Sequence, residues 1–430
     1  MDEKPVYLGI MGLGTVGSGA VKILQQNFAD ITQRTGRRLA VKKVLVRNPD
    51  KPRPVTMPQG VLTTDPAEVL EDPEIRIVVE VIGGISPAKE YILQAIHNGK
   101  HVVTANKELI AKEGRELLTS ATNAGVNLFF EGSVAGGIPI VKSLKECLSA
   151  NLIQTVMGII NGTTNYILTA MTQQGADFAE VLREAQEKGY AESDPSNDVD
   201  GKDAAYKLAI LASIAFGTRV RVDQIYTEGI RRITAEDIRY ARELGFVIKL
   251  LAIGKEHPGQ GIEVRVQPAF VPHQHPLAAV GGVFNAVFVQ GDAVGDMMFY
   301  GRGAGDLPTG SAVVADIMDI AKNLGGKVNP ACSCYTDKPV IPMEETRSKY
   351  YVRTAVLDKP GVLAQIAGAF GDAGVSLSSV IQKGHGMQPV TLVFVTHEVK
   401  EGDLRRAIEK IRCLPVVDAV HNVIRVEDRR

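Results

Sequence analysis

Between Gly189 and Lys207 the chain reads GYAESDPSNDVDGKDAAYK, which sets seven charged side chains, Glu192, Asp194, Asp198, Asp200, Lys202, Asp203 and Lys207, among turn-forming residues. The apolar run LAILASIAFG follows at once and reads as a helix. Asp200 stands where an N-cap belongs, and Asp203 then falls in the first turn. Lys207 lies four residues further on, on the same helix face as Asp203. An acid and an amine fixed together on one rigid element is the arrangement proton transfer needs. The alternative is an ordinary helical ion pair, a common feature of helix surfaces. What decides between them is the rest of the chain.

A second chemical signal lies at the start. Gly12, Gly14 and Gly17 have the spacing G-x-G-x-x-G, with Leu13, Thr15 and Val16 between them, after the apolar run Val6–Met11 and before an amphipathic segment from Thr15 to about Phe28. The first glycine permits a tight turn, the second lets the backbone approach a pyrophosphate, and the third lets helix and strand pack closely, with the phosphates on the helix N-terminus. Where an NAD site carries an acid after its second strand, this chain has Arg47, with Lys51 and Arg53 close behind. A cation there suits a 2′-phosphate and favours NADP over NAD; the other reading is three solvated loop charges. Gly83-Gly84 and Thr104-Ala-Asn-Lys107 follow β-branched runs, at the ends of strands where parallel sheets bind ligands. Lys107 would point into that cleft, since a lysine opening a helix otherwise opposes the helix dipole. Glu131-Gly-Ser-Val134-Ala-Gly136-Gly-Ile138 combines a carboxylate with loop carbonyls, an oxygen set suited to a hard cation, or else a plain hinge between domains. Tyr300-Gly-Arg-Gly303-Ala-Gly-Asp306 is a glycine-rich loop that either closes over a cofactor or turns a strand into the helix expected over 311–324. His273 and His275 flank Gln274 among prolines with no third ligand at a useful spacing and read as loop residues.

These residues need elements to hold them. Strand and helix alternate through the first 130 residues, through Leu39–Val46, a capping-box pattern at Asp65–Glu68, Ile75–Ile82, a helix opened by Ser86-Pro87 and His101–Ala105. That alternation implies a Rossmann-type doubly wound parallel sheet. From 131 to 340 a helix over 140–149, a strand over 152–160, the motif Asn161–Asn165 and a helix over 177–188 lead to the charged stretch. Strands near 247–253, 263–268 and 286–290, with no helices between them, make this part α+β. After a proline-bearing linker, residues 348 to 430 read β-α-β-β-α-β, a ferredoxin-like unit without a nucleophile or metal cluster, better suited to sensing than to reacting.

Bulk properties bound the answer. The chain has 430 residues, 45% hydrophobic and 23% charged, enough for two or three domains with a substantial core. A net charge of −1 offers no basic footprint for nucleic acid or an anionic membrane. Cys147, Cys332, Cys334 and Cys413 make no disulfide framework, and Cys332 and Cys334 lack the spacing of a zinc pair. With no signal-peptide pattern and no apolar run of membrane-spanning length, a cytoplasmic protein is expected.

Taken in order, Gly12–Gly17, Glu80-Val-Ile-Gly-Gly84, Thr104–Lys107, Glu131–Pro139, Asn161-Gly-Thr-Thr-Asn165 and Gly189–Pro195 with Asp200-Gly, Asp203 and Lys207 resemble homoserine dehydrogenase, from the first strand to about Leu324. The tail, with Asp358-Lys-Pro-Gly-Val-Leu363, resembles an ACT domain, a regulatory module that binds amino acids. The resemblance implies reversible conversion of L-homoserine to L-aspartate 4-semialdehyde with NAD(P), on the route to threonine, methionine and isoleucine. It implies Lys207 as general acid/base, Asp203 as its support and a substrate ligand, Glu192 on the substrate ammonium, and Lys107 at the nicotinamide and substrate. It further implies a monovalent cation, sodium or potassium, held by Glu131 through its carboxylate and by Val134, Gly136 and Ile138 through carbonyls. A homo-oligomer, with threonine acting through the tail, completes the expectation. A lysine in a closed cleft beside Lys107 would have a lowered pKa. The competing readings are a dinucleotide-binding amino-acid sensor, which leaves the charged stretch unexplained, and a related oxidoreductase acting on another small amino-acid alcohol.

Overall fold

Val6–Met11 (β1) is apolar almost throughout because a parallel sheet is covered on both faces. It pairs in parallel with Leu39–Leu45 (β2) on one side and with the strand Ile75–Glu80 on the other. Leu62–Thr63 (β3), Ile75–Glu80 (β4), His101–Thr104 (β5) and Leu128–Phe129 (β6) complete a six-stranded parallel sheet in the order β3-β2-β1-β4-β5-β6. The order reverses between β1 and β4, and a crevice for a ligand lies outside the carboxyl ends of such a pair. The computed structural model describes residues 5–326, 334–383 and 389–427; Cys332 and most of the glycine-containing loop near 384–388 lie outside them.

The chain forms two compact units, one of residues 1–156, 206–223 and 284–337, the other of 157–205, 224–283 and 338–430. In the first, the helix Thr15–Gln26 buries Ala20, Val21 and Leu24 against Val313, Val314, Ile317 and Ile320 of Asp306–Lys322. The approach is close enough that a Cβ on Gly19 would stand 1.9 Å from the Asp306 carbonyl, and one on Gly310 would stand 2.7 Å from the Ala20 nitrogen. This contact explains one departure from expectation. The helix starts at Asp306 rather than at Ser311, because Gly310 serves helix-to-helix packing instead of marking a turn. Tyr300–Arg302 likewise belong to a strand, Gly295–Arg302, which forms an antiparallel hairpin with Phe284–Gly291. Glu68 completes no capping box; its carboxylate accepts from Thr63 and pairs with Lys43, whose ammonium reaches it across the sheet surface.

In the second unit, strands run in the order Phe246–His257, Gly261–Pro272, Val417–Val426, Arg347–Val356, Val390–Thr396 and Leu377–Lys383. The first two form an antiparallel hairpin, as expected from the lack of helices between them. Residues Arg347–Val426 have the β-α-β-β-α-β order read from sequence, with the helices Val362–Asp372 and Glu401–Arg412 packed on one core with Tyr350, Val352, Leu392 and Phe394. The tail is not laid beside the rest as a loose module. Val417–Val426 runs parallel to Gly261–Pro272, pairing Arg425 with Ala269 and Val426 with Phe270, and the Glu427 N–H donates to the Phe270 carbonyl at 2.9 Å.

Candidate active site

The turn after β1 is shaped by what its glycines must avoid. Gly12 has φ +105°, and a Cβ there would meet the Val81 carbonyl at 2.8 Å, while one on Gly17 would meet the Gly12 carbonyl at 2.2 Å. Around Gly14, by contrast, a Cβ would meet nothing within 4 Å. Gly14 is the N-cap of Thr15–Gln26, and no side chain caps that end. The uncapped N–H groups and the helix dipole therefore face open space, which suits a pyrophosphate. Arg47 is exposed two residues past the end of β2. Arg53 is committed to its own loop, donating to the carbonyls of Asn48, Pro49 and Lys51.

Across the crevice, Glu80 at the end of β4 is fully buried. Its carboxylate accepts from the Ile82 N–H at 2.8 Å, the Gly83 N–H at 3.2 Å and the Thr104 hydroxyl at 2.6 Å, tying the end of β5 to the Gly83-Gly84 turn. Asn106 caps the helix Lys107–Ala124 by accepting from Leu109 and donates to the Gly84 carbonyl at 2.7 Å. Lys107 is thereby delivered, half-buried, at the first position of a capped helix beside that turn.

The Glu131–Ile138 loop is almost completely buried. Ala135 and Gly136 both have positive φ, 54° and 56°. Two successive left-handed residues direct their carbonyls to one side, where a strand would alternate them. Gly136 must be glycine for a second reason: a Cβ would stand 2.5 Å from Gly303, whose own Cβ would strike Asn285. Gly303 therefore packs against this loop, and the Gly137 N–H donates to the Arg302 carbonyl at 3.1 Å. Both oxygens of the Glu131 carboxylate accept backbone N–H groups, from Val141 at 2.9 Å and Lys142 at 2.7 Å. Each carboxylate oxygen keeps a further lone pair, so the carboxylate and the loop carbonyls together make an oxygen set suited to a hard cation. Burial pushes the Glu131 carboxyl up, against the pull of those N–H groups, and burial with the Glu131 charge pushes its neighbour Asp316 higher still.

In the second unit the charged stretch is braced from two sides. Ser196–Val199 forms a short helix that Asp200 closes. Asp200 does not cap the following helix, as its place in the sequence suggests. Its carboxylate is taken by Arg231, at 2.5 Å, and Gly201 supplies the first helical carbonyl instead, accepting from Ala205. On the other side, the Thr163 hydroxyl donates to the Tyr190 carbonyl at 2.8 Å. Asn161 caps Gly162–Gln174 and donates to Asp198 at 2.6 Å and to Asp203 at 2.9 Å. Asp203 is 4% exposed. Glu192 lies on the exposed part of the loop, with its carbonyl held by Gln186.

Lys207 follows Asp203 by one turn on Lys202–Ala215, the helix within which the chain passes from the second unit to the first. The residue is 8% exposed, so most of the side chain is covered. In the first unit, Ala209, Ile210 and Ser213 of that helix share a small apolar cavity with Ile110, Ala111 and Leu118 of Lys107–Ala124. The helices that carry Lys107 and Lys207 are thus packed together. Asp203 and Lys207 are both buried one turn apart on a helix, the glycine turn joins β1 to its helix, and Lys107 opens a capped helix, as the sequence suggests. Glu80, Asn106 and Asn161 are the polar residues whose work sequence reasoning did not assign. A buried acid ending an apolar strand, and an asparagine directly before a helix, were the available signals.

Comparison with known proteins follows the same lines. Residues 12–131 match the family model "Homoserine dehydrogenase, NAD binding domain", residues 139–318 match "Homoserine dehydrogenase", and residues 350–415 match "ACT domain". A homoserine dehydrogenase of Synechocystis sp. is 49% identical over 98% of this chain and 99% of its own length. The crystal structure of a homoserine dehydrogenase from Thiobacillus denitrificans superposes with a TM-score of 0.94 at 47% identity, covering 99% of each chain. A hyperthermophilic archaeal homoserine dehydrogenase in complex with NADPH superposes with a TM-score of 0.63 at 28% identity, over 74% of this chain and 97% of that one.

Proposed function

This chain belongs to the homoserine dehydrogenase family and is an NAD(P)-dependent oxidoreductase of that activity, and we propose that Lys207 is the group that moves the proton. The bound nicotinamide supplies hydride exchange, and the protein supplies orientation and charge. When homoserine is oxidised, hydride leaves carbon as a proton leaves the hydroxyl oxygen, and negative charge builds on that oxygen. Lys207 takes the proton in this direction and returns it when the aldehyde is reduced. Asp203 holds the substrate and steadies Lys207, Glu192 receives the substrate ammonium, and Lys107 sits at the nicotinamide and substrate. The observation that carries the reading is the pair itself: an amine and a carboxylate, four residues apart on one helix and both buried.

Replacing Lys207 by Ala is expected to lower kcat by about 10²–10⁴-fold, the range for removing a general acid–base group, while NADPH binding followed by fluorescence stays as in the wild type. Equal turnover at saturating substrate would remove Lys207 from the mechanism.

The remaining parts of the reading rest on the same site. The exposed Arg47 supports NADP over NAD, and the Glu131 carboxylate with the loop carbonyls of Val134, Gly136 and Ile138 supports a sodium or potassium ion. The tail supports an amino-acid effector, threonine being the first to try, at the turn Asp358–Gly361, where Gln382 donates to Asp358 at 3.3 Å. We also place the enzyme in the cytoplasm as a homo-oligomer; Met298 and Tyr300, both well exposed on one strand, support a covered face there. No helix among the described residues is long and apolar enough to cross a membrane. Initial rates with NADPH against NADH, with sodium against potassium, and with threonine added read the first three points. Light scattering reads the oligomer.

A further inference from the structure

The Asn161 side chain bonds two carboxylates, those of Asp198 and Asp203. Its Oδ1 accepts from the Thr164 N–H at 2.8 Å and from the Thr164 hydroxyl at 2.9 Å. That cap fixes which end of the amide is oxygen. The NH₂ end is therefore turned to Asp198 and Asp203, at 2.6 and 2.9 Å. An amide has two N–H groups, and here each is given to a different carboxylate. Asn161, Thr164 and Asp203 are all buried, so water does not compete for the cap or for the bond to Asp203, while the bond to Asp198 is part-buried. A helix cap needs only the oxygen. A serine, threonine or aspartate would cap equally well, so the cap alone leaves the choice of an amide unexplained. What an amide adds is a neutral donor that holds two negative groups close together without adding a third charge.

We propose that Asn161 is a positioning residue of the reaction: its amide fixes the carboxylate of Asp203, one helical turn from Lys207, and holds Asp198 on the same donor group. The inference rests on the roles given to Asp203 and Lys207 above. The Asp203 carboxylate stays in the orientation that meets substrate only while an N–H of residue 161 is bound to its Oδ2. The second bond, to Asp198, anchors the amide from the side of the Ser196–Val199 helix and keeps it from rotating.

Two variants of the full-length enzyme separate positioning from capping. Asn161→Ser keeps a capping oxygen but is too short to reach the two acids. Asn161→Asp keeps the cap and the reach but meets two carboxylates with a third, so it can donate only when it carries a proton. Both are expected to fold and to bind NADPH normally, melting somewhat below wild type because a buried carboxylate has lost a donor. Both should raise the KM for homoserine and lower kcat, together on the order of 10²-fold in kcat/KM, the scale of a misplaced catalytic group. The activity of Asn161→Asp relative to wild type should rise as the pH falls, because protonation restores the donor, whereas the ratio for Asn161→Ser should stay flat. A merely structural role moves neither ratio with pH. Wild-type kcat and KM in Asn161→Ser, or a pH-independent ratio in Asn161→Asp, overturns the proposal. If Asn161→Asp does not fold, the kinetic constants of Asn161→Ser decide alone. Should the wild-type enzyme itself fail to oxidise homoserine, the reading of function fails instead, and the two failures are not confused.

Discussion

Lys249 shows how a single side chain can set a pH dependence. Its ammonium is buried, donating to the Asn165 side chain at 3.2 Å and to the Val280 carbonyl at 2.5 Å. Burial without a compensating anion lowers its pKa from 10.5 to about 8. Below about pH 8 both folded and unfolded chains hold the proton, and the cost of burying the charge is constant. Between about 8 and 10.5 the unfolded chain holds a proton that the folded chain has lost, so stability rises with pH across that window, by about 1.4 kcal/mol for each pKa unit of difference. In Lys249→Met this rise is absent. Urea unfolding of both proteins at pH 8 and pH 10 checks it: the difference in stability between wild type and variant should shift toward the wild type as the pH increases. Lys249 lies on a strand whose neighbours are apolar, and sequence reasoning passed over it, since one lysine in such a run reads as an edge residue facing water.

At the level of elements, the sequence showed what each segment is but not always where it begins. The parallel alternation, the βαββαβ tail and the glycine turn were legible because their signals are local: a period of two or 3.6, a cap, a spacing. The start of Asp306–Lys322 was not, since Pro308 and Gly310 look like breakers until the partner helix is in place. Asp200 was misassigned for a similar reason, because its claim as a cap was local and the competing Arg231 lies 31 residues away. The crossing of Thr15–Gln26 and Asp306–Lys322 gives a direct test. Gly19→Ala puts a methyl group 1.9 Å from the Asp306 carbonyl, so the helices must separate. Overpacking of this type costs about 1–3 kcal/mol, and the displaced helix is the one whose uncapped N-terminus suits the phosphates. The variant should melt lower and bind NADPH more weakly, whereas Gly14→Ala, which meets no atom within 4 Å, should leave the melting temperature unchanged and weaken only the nucleotide. Calorimetry with and without NADPH distinguishes them.

On the scale of the second unit, charge runs where a core would ordinarily be apolar. Arg265 is fully buried and pairs with Glu263 and Glu427, and Glu427 also accepts from Lys255 at 2.9 Å. Burial alone would raise the Glu427 carboxyl, but Arg265 and Lys255 outweigh it and hold it below the ordinary range. Its contribution is therefore complete above the unfolded value and is lost as the pH falls below about 4, toward the folded value. Glu427→Gln should remove part of the acid sensitivity of unfolding while lowering stability at pH 7, by about 3–5 kcal/mol, since breaking one partner of a buried pair strands the other. Acid titrations of both proteins followed by circular dichroism read both effects. A second set of bonds joins Arg353 to Asp237 and Glu236, and Arg425 to Glu401 and Glu228. Each pairs a residue of the tail with one that precedes it by more than a hundred positions, apart from Glu401, which lies in the tail itself. None of these partners could be named from spacing, because ion pairs this far apart in the chain leave no periodic trace.

Val417–Val426 lies inside its sheet, hydrogen-bonded to Gly261–Pro272 on one side and to Arg347–Val356 on the other. Removing the tail would uncover the amides of Gly261–Pro272, take Arg353 from Asp237 and take Glu427 from Arg265, which would keep Glu263 alone. A tail-less version that has lost activity, or that aggregates, would say little about feedback. The question of what the effector does is better put to an uncut molecule altered at Asp358 or Gln382, where no such debt is incurred.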